Sequence, residues 1–247
     1  MTKQSPYNLS IFQTVDELNH AAAEFIIVSA SASLAAHGKF VIAFSGGQTP
    51  QKIYSLLAEP AFRKKLDWTK IFIFWGDERC VPLNDVRNNA HQALSVLLDK
   101  VPIPPGNIHR IKVNLSPKEA AMHYQRELQH FFGKNPKRFD LILLGLGDNG
   151  HTASLFPGTS ILDNKNSGVE SLYVEEDKMH RVSMTAPLIN QAHKILFLVT
   201  GPQKAGVLNT VLNGPFQPAL YPAQLINPVD GELFWMVDQS AASQLDE

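Results

Sequence analysis

Three short segments of the chain join glycines to polar or charged side chains, each directly after a strand-length apolar run. The first is Ser45-Gly46-Gly47-Gln48-Thr49-Pro50, which precedes Ile53, Leu56 and Leu57 at helical spacing. Paired glycines let backbone N–H groups approach an anion closely. Thr49 is suited to cap the helix and Pro50 to sit in its first turn. Free amides and the positive end of the dipole at a helix N-terminus favour phosphate. The Gly-Lys-Ser/Thr ending of a Walker loop is absent. A merely tight turn would not need hydroxyls on both sides of the glycines, so phosphate binding is the expectation.

The second segment is Gly76-Asp77-Glu78-Arg79-Cys80-Val81-Pro82, after Trp75. Three charges directly after a buried strand do not fit simple solvated surface. Arg79 offers a planar fork for a phosphate or carboxylate. For Glu78, a direct role and an internal ion pair tying the loop together fit equally well. Cys80 has no base near it in sequence and reads as a bystander thiol.

The third segment is Gly145-Leu146-Gly147-Asp148-Asn149-Gly150-His151-Thr152, which fits G-x-G-x-x-G after a strand. That dinucleotide fingerprint must open a long helix, whereas Phe156-Pro157-Gly158 ends any helix within about two turns. The alternative is a glycine-rich loop presenting His151 at the sheet edge as a general base near neutral pH. No histidine belongs to an H-E-x-x-H motif, and no metal site is expected. Two later segments add positive charge. Arg181 lies beside Val182-Ser183-Met184-Thr185, read as a strand. Lys204, after Thr200-Gly201-Pro202-Gln203, falls in the first turn of a helix, where an anionic ligand would offset its conflict with the dipole.

These loops need a frame. The apolar runs at 40–44, 71–75, 141–144, 195–199 and 233–237 are continuous rather than alternating, as in parallel strands covered on both faces. Helices start between them. Thr14 with Glu17 reads as a capping box, and Leu18, Ala22, Phe25, Ser29, Ala32 and Ala36 then make one face. Ser116-Pro117-Lys118-Glu119 does the same before Ala120, Tyr124, Leu128 and Phe131. Strand then helix, repeated, predicts a mostly parallel α/β sheet built from βαβ units. No long linker or internal repeat divides the chain, so one domain over residues 1–247 is expected. In such sheets ligands sit outside the carboxyl ends of the strands, where the three glycine-containing loops fall.

Composition narrows the function classes. Of 247 residues, 44% are hydrophobic and 18% charged, which excludes a disordered chain. Lys+Arg is 22 and Asp+Glu is 23, a net charge of −1, and no basic run exceeds Arg63-Lys64-Lys65. Neither nucleic acid nor an anionic membrane is therefore an expected partner. Cys80 is the only cysteine, which excludes an intramolecular disulfide and a cysteine-based zinc cage. Met1-Thr2-Lys3-Gln4-Ser5-Pro6 has no apolar h-region. The continuous apolar stretches fall far short of the roughly 20 residues of a membrane span. A soluble cytoplasmic protein is expected.

The chain resembles the 6-phosphogluconolactonase branch of the glucosamine-6-phosphate isomerase/6-phosphogluconolactonase family. The pieces that carry this, in family order, are Ser45-Gly46-Gly47-x-Thr49-Pro50, Asp77-Glu78-Arg79, Asn89, and Gly147-x-x-Gly150-His151-Thr152-Ala153-Ser154-Leu155-Phe156-Pro157-Gly158. Arg181, Gly201-x-x-Lys204-Ala205, Asn227-Pro228 and Leu233-Phe234-Trp235 complete the set. The resemblance implies a modified Rossmann-type α/β fold with helices on both faces, and no metal or organic cofactor. It implies hydrolysis of 6-phospho-D-glucono-1,5-lactone to 6-phosphogluconate, the second step of the oxidative pentose phosphate pathway, with the sugar-phosphate lactone as partner. Ser45, Gly46, Gly47 and Thr49 then correspond to the phosphate cradle, supported by Arg79 and Lys204. His151 corresponds to the base that activates water, with Asp77 and Asn149 in the catalytic set and Arg181 in the pocket wall.

One departure stands out. Relatives commonly carry Asp immediately before the Gly-His pair, where this chain has Asn149, with Asp148 one place earlier. In the isomerase branch that Asp belongs to the ring-opening machinery, so the amide counts against isomerase or deaminase activity. Three groups are then open to orient His151: Asn149 as a neutral partner, Asp148, or Glu78. The rival readings are an isomerase or deaminase of an amino-sugar phosphate, with Asp77 shuttling protons, and a catalytically weak sugar-phosphate-binding protein.

Overall fold

The five continuous apolar runs form five adjacent strands of one sheet in the computed structural model, which describes residues 6–245. Residues 1–5, part of the stretch read for a leader, lie outside the described residues. In chain order the strands are β1 (Tyr7–Phe12), β2 (Phe40–Phe44), β3 (Ile71–Trp75), β4 (Asp77–Arg79) and β5 (Leu141–Gly145). Then come β6 (Val169–Val174), β7 (Met179–Met184), β8 (Lys194–Val199) and β9 (Glu232–Asp238). The helices are α1 (Val15–His37), α2 (Gln48–Ala58), α3 (Pro60–Arg63), α4 (Asn89–Val96), α5 (Pro117–Phe132), α6 (Ala186–Ile189) and α7 (Ala205–Asn213). The large sheet has the order β1-β9-β8-β5-β2-β3, and every pair in it is parallel. A second, antiparallel sheet has the order β4-β7-β6.

Helices cover both faces of the large sheet, and two neighbouring residues of β3 prove it. Successive side chains of a strand point to opposite faces. Trp75 packs with Phe44, whose ring stacks at 4.3 Å on Tyr54 of α2. Phe74 packs instead on Tyr124, Phe131 and Phe132 of α5. Both expected capping boxes are present, Thr14 with Glu17 and Ser116 with Glu119, with Pro117 opening α5.

Four readings need correction. The edge strand β1 escaped notice because it is largely exposed, with polar Asn8 and Ser10 interrupting its apolar residues, so it shows no continuous apolar run. The buried stripe of α1 runs through Leu18, Ala22, Ala23, Ile26, Ile27 and Ala30, leaving Phe25 half-buried and Ala32 and Ala36 exposed. Burial favours the larger isoleucines, since alanine loses little by exposure. This 23-residue helix is also long and apolar enough to cross a membrane, which the search for continuous apolar runs missed. Its buried face packs against α2 and the sheet. Finally, Asp77–Arg79 is a strand rather than a loop.

Two buried tyrosines fasten the strand ends from which the site departs. Tyr54 Oη donates to the Ser45 carbonyl at 2.9 Å and accepts from the Ser45 N–H at 3.1 Å. Tyr124 Oη does the same for Trp75, at 3.0 and 2.8 Å. Tyr54→Phe would leave both Ser45 backbone groups unpaired in a buried place. A stability loss of about 1–3 kcal/mol is expected, read as a lower urea midpoint at unchanged m-value. An unchanged midpoint would show that the clamp contributes nothing.

Candidate active site

The loops after the strand ends converge on a cleft of about 340 Å³. Ser45 and Gly46 reach it from the end of β2, Asp77 and Arg79 from β4, the segment 145–151 from β5, and Lys204 from beyond β8. The second sheet adds Arg181 from β7, with Glu176 and Asp177 from the turn between β6 and β7. Of the residues singled out from sequence, Ser45, Gly46, Asp77, Arg79, Asn149, His151, Arg181 and Lys204 line this one cleft, and Gly47 and Thr49 do not.

His151 is held by its own loop. Gly147 N–H donates to the His151 carbonyl at 2.8 Å, and Thr152 Oγ1 to the Gly145 carbonyl at 2.8 Å. A Cβ on Gly147 would lie 2.1 Å from the imidazole, so only glycine lets the ring rest against this backbone. The other support is Phe156, stacked at 4.0 Å. No helix follows Gly150, which removes the dinucleotide reading. Ala153 in the same loop has a φ of 48°, a left-handed conformation that a non-glycine residue adopts at some cost.

The orienting group of His151 is Asn149. Its Oδ1 lies 2.6 Å from His151 Nδ1 and accepts from the His151 backbone N–H at 3.1 Å. An acceptor at Nδ1 calls for the proton there, leaving Nε2 without one. Asp148 is turned away and pairs with Lys204 at 2.5 Å. Glu78 lies on the far side of β4, because the pleat sends it opposite to Asp77 and Arg79. Its carboxylate accepts from the N–H groups of Asn89 and Ala90, at 2.7 and 2.8 Å, at the positive end of α4. It does tie the structure together internally, but with helix amides rather than a cation.

Burial pushes the His151 imidazole down to about 4; Asp77 opposes this, while Arg181 and Lys204 add to it. The ring is therefore uncharged at neutral pH. Burial pushes the Cys80 thiol up to about 11, in keeping with a bystander.

Three cations, Arg79, Arg181 and Lys204, share the cleft with His151. Arg79 and Arg181 are cross-strand partners of β4 and β7, an arrangement that is unfavourable for like charges without an anion nearby. Arg181 pairs with Asp177, lies 3.8 Å from Asp77, and sits over the Phe156 ring at 5.2 Å. Arg79 donates to the Arg87 carbonyl at 2.7 Å. Asp77 accepts from Ser154 Oγ at 2.6 Å. Buried Ser45 Oγ, Asn89 Oδ1, Arg79 Nε and Arg181 Nε have no partner among the described residues. All four residues line the cleft, the pattern of a site completed by a polar ligand.

The cradle differs from its expected form. Thr49 does not cap α2, which begins at Gln48; its hydroxyl meets that of Thr200 at 2.8 Å. Gly47 takes the cap position with a φ of 110° and gives its N–H to Gln92. Gly46 is required for space, since a Cβ there would lie 1.8 Å from Asn89 Oδ1. Lys204 does precede a helix, but closes a short 3₁₀ turn before α7. Asn89, Ser154, Glu176 and Asp177 were missed as site residues. No local signal in the sequence separates Glu176 and Asp177 from an ordinary solvated turn. Among the described residues, no group of three or more His, Cys, Asp or Glu side chains is placed to hold a metal.

Fold and site together define an α/β protein with a charged cleft at the carboxyl edge of a parallel sheet, where Arg79, Arg181 and Lys204 meet four carboxylates beside an uncharged histidine. The family model described as glucosamine-6-phosphate isomerases/6-phosphogluconolactonase matches residues 13–235, and the chain belongs to this family. It is 42% identical over 219 residues to a 6-phosphogluconolactonase of Synechocystis sp., covering 86% of this chain and 88% of that one. A 6-phosphogluconolactonase of Nostoc sp. is 36% identical over 226 residues, covering 90% and 91%. The structure of 6-phosphogluconolactonase from Trypanosoma brucei superimposes with a TM-score of 0.83 at 27% identity, covering 99% and 100%.

Proposed function

We propose that the chain, acting as one α/β domain, hydrolyses 6-phospho-D-glucono-1,5-lactone to 6-phosphogluconate. The observation that carries this reading is His151, uncharged and bonded through Nδ1 to Asn149, in a cleft with three cations. A δ-lactone is an activated ester, so the barrier is modest and no covalent nucleophile is needed. His151 Nε2 takes a proton from water as the water oxygen attacks C1. Negative charge develops on the former carbonyl oxygen, and in this reading Arg181, which sits over the Phe156 ring on which His151 stacks, donates to it. Collapse breaks the bond from C1 to the ring oxygen, which takes the proton back from His151 Nε2 and leaves as the C5 hydroxyl. Ser45, Gly46, Arg79 and Lys204 hold the remote phosphate, whose binding energy keeps the ring in register. A cytoplasmic setting belongs to this reading, with Cys80 as a lone protonated thiol.

The test is loss of the phosphorylated lactone above its spontaneous rate, followed by proton release, with ammonia release from glucosamine 6-phosphate as the matched control. Acceleration of the first without the second is expected. The reverse result would establish the deaminase reading, and neither would leave a sugar-phosphate-binding protein.

A further inference from the structure

The Asn149 amide is engaged at both ends, and its second partner comes from a distant part of the chain. While Oδ1 faces His151, Nδ2 donates to Glu176 Oε2 at 3.1 Å. Glu176 sits on the exposed turn between β6 and β7, where Lys178 adopts a φ of 49° and its N–H closes onto the Glu175 carbonyl. A carboxylate in such a turn ordinarily faces water alone. Here the antiparallel β6–β7 hairpin carries it over the cleft, beside Asp177, which meets Arg181.

An amide has nearly the same shape in either orientation, so its partners choose between them. Rotated by 180°, Asn149 would set its carbonyl oxygen against the Glu176 carboxylate. Its NH₂ would then face the His151 backbone N–H and Nδ1. The imidazole could meet that NH₂ only by giving up the proton on Nδ1 and carrying it on Nε2. A proton on Nε2 blocks the nitrogen that must accept one. We infer that Glu176 is a positioning residue: it holds the Asn149 amide so that His151 is protonated at Nδ1 and bare at Nε2. The carboxylate also polarises the amide and deepens the negative charge on Oδ1. The consequence for turnover rests on His151 being the base, whereas the tautomer itself does not.

Five proteins test this: wild type, Glu176→Ala, Asn149→Asp, the double variant, and Glu176→Gln as the conservative control. Glu176→Ala is expected to lower kcat about three- to tenfold with KM within about twofold, the loss expected of one hydrogen bond. In ¹⁵N spectra of histidine-labelled protein, the share of His151 protonated at Nε2 should rise. Glu176→Gln, whose side-chain carbonyl still accepts from Nδ2, should keep most of kcat. An aspartate at 149 has no amide to orient and would sit against Glu176, so removing Glu176 in that background should cost nothing or raise kcat. Equal losses in both backgrounds would overturn the inference and leave Glu176 as a support of the turn. An unchanged tautomer in Glu176→Ala would overturn it as well. A changed tautomer with unchanged kcat would uphold the inference and overturn His151 as the base.

Discussion

Replacing His151 by alanine or asparagine is expected to lower kcat by about 10²–10⁴ with little change in KM. In the proposed reaction the base acts on water in the transition state, while the phosphate is held by other side chains. Burial places the imidazole at about 4 in the free protein, well below the ordinary histidine value of 6.5. Only the neutral ring accepts a proton, so kcat/KM of the wild type should stay level through pH 6.5 and fall as the pH approaches about 4. The same shift has a stability consequence whose sign is fixed. Between about 6.5 and 4 the unfolded chain binds a proton at this histidine and the folded chain does not, so stability declines as pH falls through that window. His151→Asn should lose this part of the decline, which urea titrations at several pH values would read. Since the lactone hydrolyses unaided, the background rate is subtracted at each pH. A folded His151→Ala protein with near-normal kcat would remove His151 from the mechanism. A mutant that loses thermal stability and binding together, with its acid limb intact, would make His151 a packing residue.

Arg79→Ala and Lys204→Ala should act on the other parameter. Both side chains reach the cleft, and their partner in the proposed reaction is a phosphate remote from C1. Charge-assisted hydrogen bonds of this kind are worth about 1.5–3 kcal/mol, so each substitution should raise KM roughly tenfold or more. In the free protein Lys204 is bonded to Asp148, which is largely exposed, so loss of the lysine leaves that carboxylate in water at little cost. Little stability should be lost with Lys204→Ala. Glucono-1,5-lactone, which has no phosphate, should be a poor substrate of the wild type and nearly insensitive to both substitutions. Equal damage on the two substrates would show that these residues do not read the phosphate.

The residues whose roles depend on local structure are legible without coordinates. Continuous apolar runs of strand length such as Phe40–Phe44 and Ile71–Trp75 read as strands covered on both faces, because a half-exposed strand would alternate. The pairs Thr14 with Glu17 and Ser116 with Glu119 set two helix starts, since a capping box is completed within four residues. The glycine-rich turns after β2 and β5, and hence Ser45, Gly46 and His151 at the sheet edge, follow from the same short-range rules. What acts on those residues was decided by the tertiary structure. Glu78 and Arg79 are neighbours in sequence, yet the pairing of β4 with β7 sends one to the amides of α4 and the other into the cleft. Glu176 and Asp177 look like solvent-facing turn residues until the hairpin brings them onto Asn149 and Arg181. The low pKa of His151 likewise comes from its burial, to which Arg181 of β7 and Lys204 before α7 add. Conformational rules act over a few residues and can be read along the chain, whereas burial and electrostatics act through space, between segments whose proximity exists only after folding.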